Sequence, residues 1–282
     1  MLGIVTVNWN GFEMTRGLVE QLLESDFQDF RLAVVNNSPE EREQFETCSL
    51  FQDPRVMVIH SPVNAGYSGG LNTGLKSLLP DPAVDHFLLM NNDVRIGPEF
   101  LGRMLAEGQS ENKIYAPLIL LKDTSLVQNS GGEIHIWLGG SINLNKNVPI
   151  EKIQKRQPGY LGGCILFAHR KVIEKVGLFD EKFGSYFEDA DYCLRAKAAG
   201  IAGEVLWDIT ARHFHSYSTQ EKNSYKIFLI NRNQIYFARK HLAPLPRLVF
   251  ITAAIVRGFL MNSTRTRFSP FMRGIIEGFH VI

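Results

Sequence analysis

Three carboxylates within four positions are the residues of this chain best suited to chemistry: Glu188, Asp189 and Asp191, in the stretch FGSYFEDADYCLRAKAAG (183–200). Ionised carboxylates so close together repel, and a sequence keeps them where they serve a cation or a proton transfer. Asp189 is the candidate general base. A helix N-terminus, whose dipole favours acids, accounts for the same cluster without catalysis, so other motifs must decide. NNDV (91–94) ends an apolar run, FLLM, with a carboxylate beside side-chain amides. That set offers hard oxygen ligands to Mg²⁺ or Mn²⁺, Asp93 first and Asn91 or Asn92 in support, although Asn and Asp also favour plain turns. RHFHSYS (212–218) sets His213 and His215 two apart, on one face of a strand, where one of them could complete a metal site begun by Asp93. NAGYSGGLNTGL (64–75) places Gly66, Gly69 and Gly70 before a helix. Glycines permit close backbone approach and a helix start favours phosphate, but the spacing is neither a dinucleotide fingerprint nor a P-loop.

The elements that must position these residues alternate. LGIVTVNW (2–9), RLAVVNN (31–37), VMVIHS (56–61) and HFLLMNND (86–93) read as strands, separated by helical patterns over 13–25, 39–50 and 69–79. Such alternation predicts parallel strands with helices on both faces, and in such sheets ligands sit at the carboxyl ends of strands. Those ends carry Asn8 and Asn10, Asn36 to Ser38, and Asn91 to Asp93. Residues 114–150 read as short antiparallel strands and turns, followed by the glycine-rich YLGGCILFAHR (160–170), a short strand near 203–207 and a helical tail from about Gln220. The expected organisation is one α/β domain over 1–220, with a nucleotide-binding half (1–110) and an acceptor half (111–220), and a helical extension over 221–282.

Composition excludes disorder: 45% of the 282 residues are hydrophobic and 21% charged. The net charge of +1 hides an asymmetry, because residues 221–282 hold ten Lys and Arg against two Asp and Glu, leaving −7 on the first 220. A basic tail on an acidic body points to an anionic partner, such as a membrane surface met through residues 244–273. A homodimer interface is the alternative use of the same apolar helices. The longest apolar run there, LVFITAAIV (248–256), is too short to span a bilayer. Cys48, Cys164 and Cys193 are scattered without metal spacing, as expected of reduced thiols in the cytoplasm.

The ordered set VNWN, NNS, NAGYSGGLN, NNDV, GGCILFAHR, VGLFDEKFGSYFEDADYCLR, H…S and RNQIYFARKH, spread over residues 3–241, resembles the bacterial family 2 glycosyltransferases of the GT-A fold, and most closely their rhamnosyltransferase-like branch. The resemblance implies an inverting transfer of a sugar from a nucleotide-diphosphate donor to a glycan or lipid-linked acceptor, with a divalent ion at the diphosphate and no nucleic-acid partner. It implies Asp189 as base with Glu188 beside it. Asp93, Asn91 and His213 are the implied metal ligands, with His213 preferred to His215 for its five-residue step to Ser218. The implied donor site comprises Asn8, Asn10, Asn36, Asn37, Asn64, Gly66, Gly69, Asn72, Asn92 and Arg195. Gly162, Gly163 and Cys164 line the implied sugar and acceptor pocket. Val35 stands where the family usually carries an Asp that helps read the nucleobase, which leaves that task to Asn36, Asn37 or backbone. Two other uses are weighed beside this one: a degenerate sugar-nucleotide-binding scaffold, and a nucleotidyltransferase, which would want a basic glycine-rich signature near the first strand.

Overall fold

Uninterrupted apolar runs make strands that are covered on both sides, and the sheet is built from them. A computed structural model describes residues 1–214, 223–262 and 265–281. In chain order the elements are β1 (Leu2–Asn8), α1 (Phe12–Leu23), β2 (Phe30–Asn36), α2 (Arg42–Thr47), β3 (Val56–His60), α3 (Gly66–Leu78), β4 (His86–Asn91), β5 (Val94–Arg95) and α4 (Phe100–Glu107). There follow β6 (Lys113–Leu121), β7 (Val127–Asn129), β8 (Gly132–His135), β9 (Gly140–Asn143), β10 (Ile165–His169), α5 (Arg170–Val176), α6 (Glu188–Ala198) and β11 (Ala202–His213). Helices α7 (Asn223–His241), α8 (Pro244–Met261) and α9 (Arg265–His280) close the described chain.

The main sheet runs β3-β2-β1-β4-β10-β6-β11-β5, with β7 beside β6. Strands β1 to β4 are parallel, while β10 is antiparallel to both its neighbours, so the sheet is mixed. Alternate residues of each strand feed two cores. Val5, Ala33 and Leu89 face α3, α5, α6 and α7; Ile4, Leu32 and Met90 face α1, α2 and α4. Helices therefore cover both faces, as the alternation predicts.

Three features depart from the sequence reading. Residues 113–121 form a long buried strand, because KIYAPLILL is apolar on both faces. Strand β11 spans 12 residues instead of about five. The helical tail is not a separate layer: Tyr236 and Phe237 of α7 lie in the same core as β1 and α6, so a boundary near residue 220 cuts through continuous packing.

Helix α8 corrects a fourth expectation. Its 18 residues have a mean hydropathy of 1.5, long and apolar enough by length and composition to cross a membrane. The apolar run counted from sequence ended at Val256, whereas the helix continues through Gly258, Phe259 and Leu260. Here α8 lies along the protein, with Phe250, Ala254 and Gly258 buried at four-residue steps and the opposite side exposed.

Candidate active site

The acidic cluster opens α6. The turn before it is strained: Tyr186 and Phe187 take φ of 72° and 70°, a left-handed conformation that costs a non-glycine residue about 1–2 kcal/mol. The turn is held by α7. The buried Asn233 side-chain amide donates to the carbonyls of Phe183, Ser185 and Tyr186 at 2.7–2.8 Å, and Arg232 Nη2 donates to those of Lys182 and Phe183. The RNQIYF motif thus fixes the loop that delivers the acids.

The three acids have three environments. Asp189 is half-buried; its Oδ2 accepts from the Gly163 N–H at 2.9 Å and its Oδ1 from the Ala190 N–H at 2.8 Å. Burial raises its pKa, and these backbone donors limit the rise. Glu188 Oε2 is buried with no hydrogen-bond partner among the described residues. Burial, then the neighbouring charges of Asp189 and Asp191, hold Glu188 well above the ordinary carboxyl range. Both acids are thus raised, Glu188 the more strongly because the neighbouring carboxylates add to its burial. Asp191 points the other way, fully buried. Burial alone would raise its pKa, but hydrogen bonds from His241 and Lys240 and the charge of Arg195 outweigh burial and hold it at about 2.

Across the sheet, Asp93 Oδ1 lies 3.0 Å from His213 Nε2. The antiparallel pairing of β5 with β11 sets His213 opposite Val94, which brings the ring onto Asp93. Asn91 Nδ2 is 3.4 Å from the same ring nitrogen, and Gln128 meets Nδ1 through its amide at 2.8–3.0 Å. A carboxylate and an imidazole at this separation suit two neighbouring positions around an ion with ligand distances of about 2.1 Å. Gln128 Oε1 is placed to accept from Nδ1–H, a tautomer that turns the Nε2 lone pair towards Asp93. The donor set therefore fits a divalent ion, with the remaining positions left to substrate or water. Among the described residues no group of three or more His, Cys, Asp and Glu gathers around one point. His215 and Ser218 lie outside the described residues.

Asp189 and the Asp93–His213 pair open on one cavity of about 920 Å³. Of the residues expected from sequence, Asn37, Asn64, Gly66, Asn91, Asn92, Asp93, Gly163, Cys164, Glu188, Asp189 and His213 line it. Asn92 donates to Thr15 Oγ1 at 2.9 Å, and Asn64 Oδ1 caps the Gly66 N–H at 2.8 Å. Asn37 gives its NH₂ to the Gly66 carbonyl, while its buried Oδ1 has no partner among the described residues. Burial, then Asp93, pushes the Cys164 thiol well above its ordinary pKa, which makes it a poor nucleophile.

Other expected donor residues are scaffolding. The parallel register pairs Asn8 with Asn36, so the two amides meet at 2.9 Å and close on Thr15, Glu41 and Ser38 instead of on a ligand. Asn10, in a left-handed conformation, bonds Ser38. Asn72 clamps Phe179 and Glu181 from inside the core. Arg195 bonds Asp191 and the Val176 carbonyl, away from the cavity. A Cβ at Gly162 would strike Asn129, 2.3 Å away, so that glycine serves packing.

The start of α3 is likewise no phosphate cradle. The N–H groups of Gly66, Tyr67 and Ser68 are taken by Asn64, Ser185 and the Gly184 carbonyl, and Gly69 is buried within the helix. Gly70 and Gly74 let α3 press on β1, where a Cβ would come within 2.6 Å and 2.3 Å of Val7 and Val5. Val35 is buried in the sheet and reads nothing.

The sequence reading missed the rest of the cavity wall: Trp9, Tyr67, Tyr160 and Tyr186, and four cations, Lys146, Lys226, Arg257 and Arg267. No local pattern marks the cations, since more than a hundred residues separate the first from the last.

Comparison with known proteins agrees with this geometry. The chain is 27% identical over 235 residues to the low-salt glycan biosynthesis hexosyltransferase Agl10 of Haloferax volcanii, covering 83% of this chain and 74% of the relative. It is 24% identical over 258 residues to the N-acetylglucosaminyl-diphospho-decaprenol L-rhamnosyltransferase of Mycobacterium tuberculosis, covering 80% and 82%. The mannosyltransferase PcManGT of Pyrobaculum calidifontis, solved with GDP-Man and Mn²⁺, superposes with a TM-score of 0.61 at 10% identity over 99% of this chain and 86% of that one. The GT-A fold expected from sequence is the fold observed. Residues 3–177, more than half of the chain, match the profile described as Glycosyl transferase family 2. The chain belongs to glycosyl transferase family 2.

Proposed function

We propose that this enzyme transfers a hexose, with rhamnose one candidate, from a nucleotide-diphosphate donor to a hydroxyl of a glycan or lipid-linked saccharide, with inversion, in cell-surface polysaccharide synthesis. One observation carries the reading: Asp189, held by backbone donors, faces the same cavity as the Asp93–His213 pair. The acceptor hydroxyl gives its proton to the free lone pair of Asp189 as its oxygen bonds the anomeric carbon. The bond from that carbon to the diphosphate oxygen breaks on the opposite face, and the nucleoside diphosphate leaves with the electron pair. Protonated Glu188 keeps a second negative charge away from the base. A divalent ion held by Asp93, His213 and Asn91 would supply positive charge against the leaving diphosphate. Asn37 Oδ1, an unpartnered acceptor on the wall, suits an N–H of the nucleobase.

The basic C-terminal helices would hold the enzyme on the inner face of the cell membrane, with the exposed side of α8 against lipid. The test is thermal shift with dTDP-, UDP- and GDP-sugars, each with Mn²⁺ or EDTA. Stabilisation by one nucleotide class, only with Mn²⁺, is the expected result. No stabilisation by any donor, together with no release of nucleoside diphosphate, would overturn the reading.

A further inference from the structure

Two residues, Gly163 and Cys164, connect the candidate base to the Asp93–His213 pair. The Gly163 N–H donates to Asp189 Oδ2 at 2.9 Å, and the Cys164 carbonyl accepts from the Asn91 N–H, also at 2.9 Å. Asn91 in turn stands 3.4 Å from His213 Nε2 through its side chain. The carbonyl between these contacts, that of Gly163, accepts from Tyr67 Oη at 3.3 Å, and no other donor among the described residues reaches it. That distance is long for an O–H···O bond, of the kind that tightens when substrate fills a site.

Tyr67 can bear on that segment because its own backbone is fixed. It is the second residue of α3, which Gly70 and Gly74 seat against β1. Its N–H meets Ser185 Oγ at 3.4 Å, and the Ser68 N–H donates to the Gly184 carbonyl at 2.8 Å. A Cβ on Gly66, where φ is 73°, would come within 2.8 Å of Gly184. The start of α3 is therefore wedged against the turn that delivers the acids, with the half-buried Tyr67 ring on the cavity wall. Burial first, then Glu188, Cys164, Asp93 and Asp189, raises the phenol well above its ordinary pKa, so it stays a donor.

We propose that Tyr67 is a positioning residue for the transfer: its phenol holds the Gly163–Cys164 segment, and through the Gly163 N–H that segment keeps Asp189 at a set distance from the Asp93–His213 pair. The assignment rests on the sugar-transfer reading and adds a residue that acts through Gly163, not on the sugar. Tyr67→Phe removes one oxygen and keeps the ring. The Gly163 carbonyl then loses its described partner, the segment loosens, and its N–H withdraws from Asp189. A carboxylate that loses a backbone donor holds a proton more tightly. Glu188, Tyr67, Tyr160 and Cys193 are the titratable groups around Asp189, and the variant alters one of them.

Carbon-13 NMR titration of the side-chain carboxyls in the full chain, with the Asp189 signal identified by its loss in Asp189→Asn, reads this coupling without substrate. The Asp189 midpoint is expected to rise by about half to one pH unit in Tyr67→Phe, the worth of one weakened hydrogen bond. An unmoved midpoint overturns the proposal. Turnover is read as hydrolysis of whichever nucleotide sugar stabilises the parent protein with Mn²⁺, water standing in for the acceptor. In Tyr67→Phe kcat is expected to fall about tenfold, its acid limb moving up with the midpoint, while donor KM and melting temperature hold. An equal loss of Mn²⁺-dependent donor affinity would make Tyr67 a donor contact, and a lowered melting temperature with an unmoved acid limb would make it packing; either overturns the proposal. Gly163→Ala sets a Cβ 3.0 Å from the Asp189 Cβ and disturbs the same segment, so the two losses should overlap in the double variant. Losses that multiply in full would route Tyr67 around Gly163 and refute it. Donor binding and hydrolysis by the parent protein report on the sugar-transfer reading alone, and the NMR titration reports on Tyr67 alone, so either can fail without the other.

Discussion

The two sides of α6 carry carboxylates two residues apart with opposite chemistry. On the cavity side, Asp189 meets only backbone N–H groups, and Glu188 has an oxygen with no described partner. On the core side, Asp191 is held by Arg195, Lys240 and His241. Backbone dipoles hold a carboxylate in place yet leave it able to take a proton, whereas two cations and an imidazole hydrogen bond fix its charge for structural use. The partners of each acid, and not its place in the motif, decide what it does.

Four variants and two pH profiles test that contrast. The largest effect is expected for Asp189→Asn, which removes the proton acceptor but keeps the shape. Turnover should fall about 10²–10⁴-fold with donor affinity and melting temperature little changed; normal turnover would refute the assignment. Next comes Asp191→Ala, which leaves the half-buried Arg195 without its carboxylate while Lys240 keeps Asp180, and should cost about 3 kcal/mol of stability in denaturant unfolding. The pH dependence carries the same information. The folded pKa of Asp191, about 2, lies below its ordinary 3.8, so its contribution is complete above about pH 4 and is lost as pH falls towards 2. The amount is on the order of 2 kcal/mol, and an acid unfolding curve unchanged by Asp191→Ala would contradict it. Activity should behave differently, its acid limb lying above the ordinary aspartate range because burial raises Asp189.

Asn233→Ala releases the Tyr186–Phe187 turn. A fall of about tenfold or more in kcat at unchanged donor affinity is expected, since small misplacement of a reacting group is costly. An altered melting temperature with normal kcat would reduce Asn233 to a packing role. The smallest effect belongs to Glu188→Gln, which resembles the protonated acid and should leave kcat within about threefold. A loss as large as that of Asp189→Asn would exchange the roles of the two acids.

The sequence carried the strands β1 to β4, the helix opening at Glu188 and the pairing of Asp93 with a late histidine, because each rests on local pattern or on one ordered motif set. It misled wherever polar residues at strand ends looked like ligands. Asn8 and Asn36 satisfy each other through strand register, which no single stretch reveals. The glycines of α3 looked like a phosphate loop because glycine serves close packing and close ligand approach alike. The cationic wall was invisible for a topological reason: it forms only when three C-terminal helices fold back over the mouth of the sheet.

The strained turn at Tyr186–Phe187 has a consequence for the order in which the enzyme is made. A chain leaving the ribosome can pair β1 to β11 before α7 exists, but the carbonyls that Asn233 gathers have no partner until residue 233 has emerged and docked. At about 5–20 residues per second, the sheet precedes a placed base by a second or more. A chain ending before Asn223 should therefore show no turnover, whatever part of its sheet has formed. During synthesis the enzyme stays silent until its last quarter arrives, so no sugar nucleotide is spent by an unfinished chain.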